Sequence, residues 1–155
     1  MLKITLILLI FIALNNNGNA QSSDSNIQTY DSLLAKKYGA DDYGMKQFIM
    51  AFLKSGKNIL TDKAEEDRLQ SEHMKNINKM AEDGKLVIAG PFMDNQSLKG
   101  IYIFDVRTLE EARELTSTDP AVKAGVLEME LHPWYGSAAL LEINNIHNKI
   151  QKKSF

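Results

Sequence analysis

Apolar residues recur along this chain in two rhythms, and the rhythms alternate. Lys46–Lys54 reads KQFIMAFLK, an apolar, β-compatible run that predicts a first strand, with Ser55–Leu60 as a loop after it. Leu69, His73, Ile77, Met80 and Ala81 then recur at steps of three and four, which sets them on one face of a helix. Asp62 is a suitable N-cap with Glu65 three positions on, and Gly84 stops the helix just past Asp83. LVIAG at 86–90 predicts a buried strand ended by Pro91. A polar turn from Asp94 to Ser97 leads into LKGIYIFDV at 98–106, whose alternation predicts a third strand and hence a hairpin. Thr108-Leu-Glu-Glu111 is a capping box, so a second helix starts there and runs to about Ser117 before Asp119-Pro120. VLEMELHPW, from Val126, predicts a fourth strand with Glu128, Glu130 and His132 on one face and Leu127, Met129 and Leu131 on the other.

The order β-α-β-β-α-β predicts an α+β fold of the ferredoxin-like kind, an antiparallel four-stranded sheet with its helices on one face. The other face must meet water or a partner. The apolar side chains exceed what one helical layer needs, so a homodimer joined sheet to sheet is expected. After the sheet, Leu140, Ile143, Ile146 or His147, and Ile150 recur at helical spacing, and 137–155 is read as a C-terminal amphipathic helix. The main domain is assigned to 46–136.

Upstream of Lys46 the texture differs. Lys3 and the apolar run Ile4–Leu14, about a dozen residues, have the form of a secretory signal, with small residues at Gly18 and Ala20. That run is short of the roughly 20 apolar residues a membrane span needs. Residues 1–20 are therefore read as a cleaved signal peptide and 21–45, rich in Ser, Asp, Asn and Gln at its start, as a flexible spacer, with a short, weak helix around Leu33 to Tyr38 as an option within it. A secreted or periplasmic location follows, without membrane attachment after cleavage. The whole chain has 18 basic and 20 acidic residues, net charge −2. Neither a basic surplus for nucleic acid nor a basic amphipathic stretch for anionic membrane is present. Cysteine is absent, so thiol chemistry, thiolate metal sites and disulfides are excluded.

His73 is the leading candidate for chemistry, because an imidazole facing a core is costly unless something pairs with it. Histidine can pass a proton in either direction near neutral pH if a carboxylate holds its tautomer. Asp119, at the Asp-Pro step beside the fourth strand, is the first choice for that carboxylate, and Asp94 in the loop after the second strand is the second. Glu72 points about a hundred degrees away on the helix. The plain alternative is a core histidine bonded to a backbone carbonyl. His132, with Trp134, either lines a cleft or packs at a sheet edge or dimer contact. His147 belongs to the terminal helix and an interface or solvent role. The three histidines match no short metal-ligand spacing, so no metal is expected. Gly90-Pro91 is no phosphate loop, since no lysine follows and no helix starts there; it allows close approach of backbone beside a pocket, or a simple turn.

Taken in order, His73, Gly84-Lys-Leu-Val-Ile-Ala-Gly-Pro91, Gly100–Phe104, Thr118-Asp119-Pro120, Lys123-Ala-Gly125 and His132-Pro-Trp134 resemble the YciI-like, or YCII-related, family over about Lys46 to Leu140. The resemblance implies a subunit that pairs as a dimeric α/β barrel, and a pocket holding a histidine and an aspartate as an acid–base dyad. Carried onto this chain, these are His73 and Asp119. Some members of the family dehalogenate or isomerise small ring compounds; many have no assigned activity. Export and the helical tail beyond Ala139 are departures from the family's usual pattern. Two classes of function stand. One is a cofactor-independent lyase or isomerase acting on a small ring or enol compound, with Gly90, Pro91 and Trp134 as pocket wall. The other is a small-ligand-binding or structural dimer without chemistry.

Overall fold

The structure, a computed structural model, describes residues 29–153. The expected signal peptide over 1–20 and the first part of the expected spacer lie outside the described residues. The chain divides at Tyr30–Asp31, and everything below belongs to the unit that starts at Asp31.

Four strands form one sheet. They are β1 (Met45–Ser55), β2 (Leu86–Pro91), β3 (Leu98–Phe104) and β4 (Leu127–Ser137), in the spatial order β2-β3-β1-β4 with every neighbour antiparallel. The long helix α2 (Lys63–Glu82) follows β1, and α3 (Leu109–Ser117) with the single turn α4 (Pro120–Lys123) follows β3. This is the ferredoxin-like α+β arrangement that the alternating rhythms predict. The caps are those the sequence implies. Asp62 accepts from the Ala64 amide, Thr108 from the Glu111 amide, and Gly84 takes a positive φ of 69° just past α2.

The period-two rule sorts the core. Ile49, Ala51 and Leu53 of β1 lie opposite Phe104, Tyr102 and Gly100 of β3, and opposite Pro133, Leu131 and Met129 of β4. With Leu86, and with Met80 and Ala112 from the helices, they make the main core on the helical side. At about 25 cal/mol per Å² of apolar surface buried, this layer is the dominant source of stability.

The second face is less open than one helical layer predicts. Past β4 the chain makes a 3-10 turn, Ala138–Glu142, before α5 (Ile143–Ile150). Leu140 and Leu141 fold back onto Phe48, Val87 and Ile103, and Trp134 joins them. Phe48 is thereby fully buried although no α-helix covers its face. The expected continuous helix over 137–155 is thus a strand end, a 3-10 turn and a short helix, because the apolar pair at 140–141 is drawn to the sheet. The expected spacer over 21–45 also gains structure at its end. Asp31 caps a helix, α1 (Ser32–Tyr38), through the Leu33 and Leu34 amides, and Gly39 closes it with a positive φ of 63°. Tyr38 hydrogen-bonds Glu142, which ties α1 to the turn after β4.

Candidate active site

His73 lies in the middle of α2, one of three buried side chains of that helix with Leu69 and Met80. Its Nδ1 is 2.6 Å from Oδ2 of Asp119. Asp119 is wholly buried and is the N-cap of α4, where Pro120 fixes the first helical position. Its second oxygen, Oδ1, accepts the Ala121 amide at 2.8 Å. A buried carboxylate without partners would cost several kcal/mol. Here one oxygen is held by backbone and the other faces the imidazole, so the α4 turn aims the carboxylate at the helix.

The other ring nitrogen, Nε2, is 3.3 Å from the hydroxyl of Tyr102. Burial, aided by the negative charge of Asp119, pushes the Tyr102 hydroxyl far above its ordinary pKa of 10.0. It therefore keeps its proton and can donate. With the carboxylate accepting from Nδ1–H, the Tyr102 hydroxyl can donate to a lone pair on Nε2, the arrangement a general base requires. The two rings lie nearly parallel, 22° apart with centroids separated by 6.4 Å, and Phe104 braces Tyr102 edge-on.

His73 and Tyr102 both line a cavity of about 630 Å³. Ligand sites commonly measure roughly 300–1,000 Å³. Gln70 and Met74 of α2, Asn58 and Ile59 of the loop after β1, and Gly90 and Pro91 of β2 form its walls. Lys99 and Glu66 also line it, one charge of each sign. Two glycines shape the enclosure. A Cβ at Gly100, which lies two residues before Tyr102 on the same strand face, would fall 2.5 Å from the Gly90 carbonyl oxygen. A Cβ at Gly56 would fall 2.0 Å from the Gly125 carbonyl oxygen, where the loop after β1 is stitched to the chain entering β4.

Not every expected site residue gathers here. Asp94, the second choice as the partner of His73, sits in the exposed β2–β3 turn and accepts the Gln96 amide at 3.2 Å. It does not line the cavity. His132 and Trp134 also lie elsewhere, which corrects their assignment to the pocket wall. They pair with Met50 and Phe48, whose side chains leave the sheet on the face away from α2. Trp134 packs against Phe48 at 6.0 Å, and its indole covers Gly136, where a Cβ would come within 2.2 Å of the ring. His132 stacks edge-on with Phe52 and binds Glu130 at 2.8 Å. Among the described residues, no three His, Asp or Glu side chains gather as a set of metal ligands.

Sequence reasoning overlooks Tyr102. Its signal is the alternation in LKGIYIF, which puts Gly100, Tyr102 and Phe104 on the helical face, so that a hydroxyl enters an otherwise apolar row. The α2–β3 crossing that brings it to His73 has no local signature.

Residues 47–135 match the YCII-related domain family. No curated protein matches the chain. One similar solved structure is the 5-chloro-2-hydroxyhydroquinone dehydrochlorinase TftG from Burkholderia phenoliruptrix AC1100, in complex with 2,5-dihydroxybenzoquinone. It aligns with a TM-score of 0.42 and 15% identity, covering 57% of this chain and 93% of its own.

Proposed function

The chain belongs to the YCII-related family, and from that premise and the dyad's geometry we propose that it is an acid–base enzyme acting on a small ring or enol compound without a cofactor. The observation that carries this reading is a buried His73–Asp119 pair, 2.6 Å apart, whose histidine lines a cavity large enough for a ligand. A histidine kept only for packing needs neither a wholly buried carboxylate nor an opening.

In this mechanism Nε2 takes a proton from an acidic O–H or C–H of the substrate. The imidazolium that forms is stabilised by the Asp119 carboxylate across the Nδ1–H bond, as in other dyads where the carboxylate orients the ring and does not itself take the proton. The electron pair released on the substrate then follows one of two courses. In isomerisation it shifts along the conjugated system, and Nε2–H returns the proton to another carbon or oxygen. In elimination it expels a leaving group, which departs with its bonding pair. Tyr102 holds Nε2 in the resting state. After proton transfer its oxygen can accept from Nε2–H, since a hydroxyl is both donor and acceptor.

A general base of this kind contributes typically 10²–10⁴-fold. The test is carbon-bound hydrogen exchange in D2O, followed by NMR on a panel of hydroxylated hydroquinones and cyclic enols. We expect exchange or turnover with the native protein and a loss of 10²-fold or more in His73→Gln. A folded His73→Leu that is more stable and equally active would overturn the reading. Tight binding with no exchange, in the native protein, would place the chain among ligand carriers instead.

The same reading includes a homodimer and an exported location. Beyond the patch that Leu140 and Leu141 cover, the same face carries Phe52 and Ile101, with the Lys54–Glu130–His132 group beside them. An apolar strip bordered by matched charges suits a self-complementary contact. Among the described residues no helix is long and apolar enough to cross a membrane. The secretory reading rests on Lys3, Ile4–Leu14 and Ala20 alone.

A further inference from the structure

A second cavity of about 500 Å³ adjoins the first, enclosed by α2, the edge strand β2 and α5. Gln70, Met74, Gly90 and Pro91 line both spaces, so only those side chains and that strand end separate them. Their chemistry differs. His73, Glu66 and Lys99 serve the first. No Asp, Glu, Lys or Arg lines the second; its polar side chains are Gln70, Asn78, Asn144 and His147, and the rest of its wall includes Met74, Ile77 and Ala81 from α2, Val87 and Ile88 from β2, and Ile143 from α5. Asn144, on the same rim, is already engaged with the Leu86 carbonyl at 3.0 Å, which pins α5 to the strand edge. The mouth of the first cavity is apolar as well. Ile59 is 84% exposed and Phe92 44% exposed, and both line it.

Resting on the acid–base reading of His73, we infer that the ligand of this site is an amphiphile. Its polar ring or enol head lies at Nε2, and an apolar chain passes Met74 into the space between α2, β2 and α5. The unbranched Met74 side chain is the group best suited to move aside at the junction. A compact polar ring would leave the second cavity without a role and would have no use for an apolar entrance. The competing occupant is α5 itself, already one wall of this space through Ile143, Asn144 and His147.

The test is calorimetric titration of the full chain with a series of 2-alkyl hydroquinones bearing one to eight carbons. Burial of each methylene should tighten binding roughly threefold to fourfold until the space is filled. Ala89→Trp, at an exposed edge-strand position lining only the second cavity, should flatten that dependence and change the affinity of the unsubstituted hydroquinone by less than about twofold. His147→Trp closes the same space from α5 and gives the same result if Ala89→Trp does not fold. A native series with no dependence on chain length overturns the inference. So does an unchanged slope in a folded Ala89→Trp or His147→Trp, which would put the chain elsewhere or leave α5 as the occupant. The two readings separate cleanly. A slope without exchange or turnover sinks the acid–base reading and supports the amphiphile site, whereas turnover without a slope does the reverse.

Discussion

At the scale of single residues, the site depends on which side of one imidazole is occupied. Asp119 claims Nδ1, and Nε2 meets only the Tyr102 hydroxyl, at 3.3 Å, among the contacts of the described residues. Asp119→Asn keeps an oxygen for the Ala121 amide but offers an amide to Nδ1 in place of a charge. It should lose the tautomer and lower turnover by 10²-fold or more, while the fold survives; circular dichroism beside the exchange assay checks both. Asp119→Ala should be harsher. It removes the α4 cap and the histidine's partner together, and should cost about 3 kcal/mol in urea denaturation. Tyr102 makes a pH prediction. Its folded pKa is raised above the ordinary 10.0, so the folded state keeps a proton that the unfolded chain releases. That contribution to stability is complete below pH 10 and is lost as pH rises beyond it. Tyr102→Phe should therefore show a shallower fall in melting temperature above pH 10 than the native protein. The His73–Asp119 pairing was legible from helical spacing and an Asp-Pro step. Tyr102 was not, because a tyrosine in a buried strand row is ordinarily read as packing.

Elements decide what those residues can reach. The α4 turn is four residues long, too short to be stable alone, yet it sets the direction of Asp119 because Pro120 fixes its first position. Gly100 does comparable work on β3. An alanine there must displace the Gly90 backbone, so Gly100→Ala should destabilise by about 1–3 kcal/mol and narrow the cavity floor, lowering the melting temperature and weakening ligand binding together. The place of Trp134 follows from strand period alone. Glu130, His132 and Trp134 alternate with Leu131 and Pro133, and it is the latter row that shares the face of Ile49 and Ala51 under the helices. A side chain in the former row cannot line the His73 cavity of its own subunit. Resemblance to a family motif groups His132-Pro-Trp134 with the pocket residues, but the pleat of the sheet separates them.

In the whole molecule, the face opposite the helices is divided. The 3-10 turn seals the end that holds Phe48, Val87 and Ile103, and leaves the strip around Phe52 and Ile101 half-buried. If the subunits pair there, Phe52→Glu should convert a dimer to a monomer in analytical ultracentrifugation with little loss of monomer secondary structure. Replacing Leu140 and Leu141 by serine should instead lower stability without acting through the dimer contact, because it uncovers buried side chains within one subunit. Local sequence was enough for the strands, helices and caps, and for the ferredoxin-like order, since those depend on side-chain periodicity and on backbone hydrogen bonds between near neighbours. The rule that a buried imidazole requires a partner asked for an acid, and the Asp-Pro step put Asp119 ahead of Asp94 as its first choice. Tertiary structure alone decided that Tyr102 meets Nε2, that Gly90 and Gly100 stand close enough to shape the cavity, that the tail folds over Phe48, and that a second, more apolar space opens beside the first. Each of these depends on the distance and angle between elements far apart in the chain, and residue spacing carries no record of either.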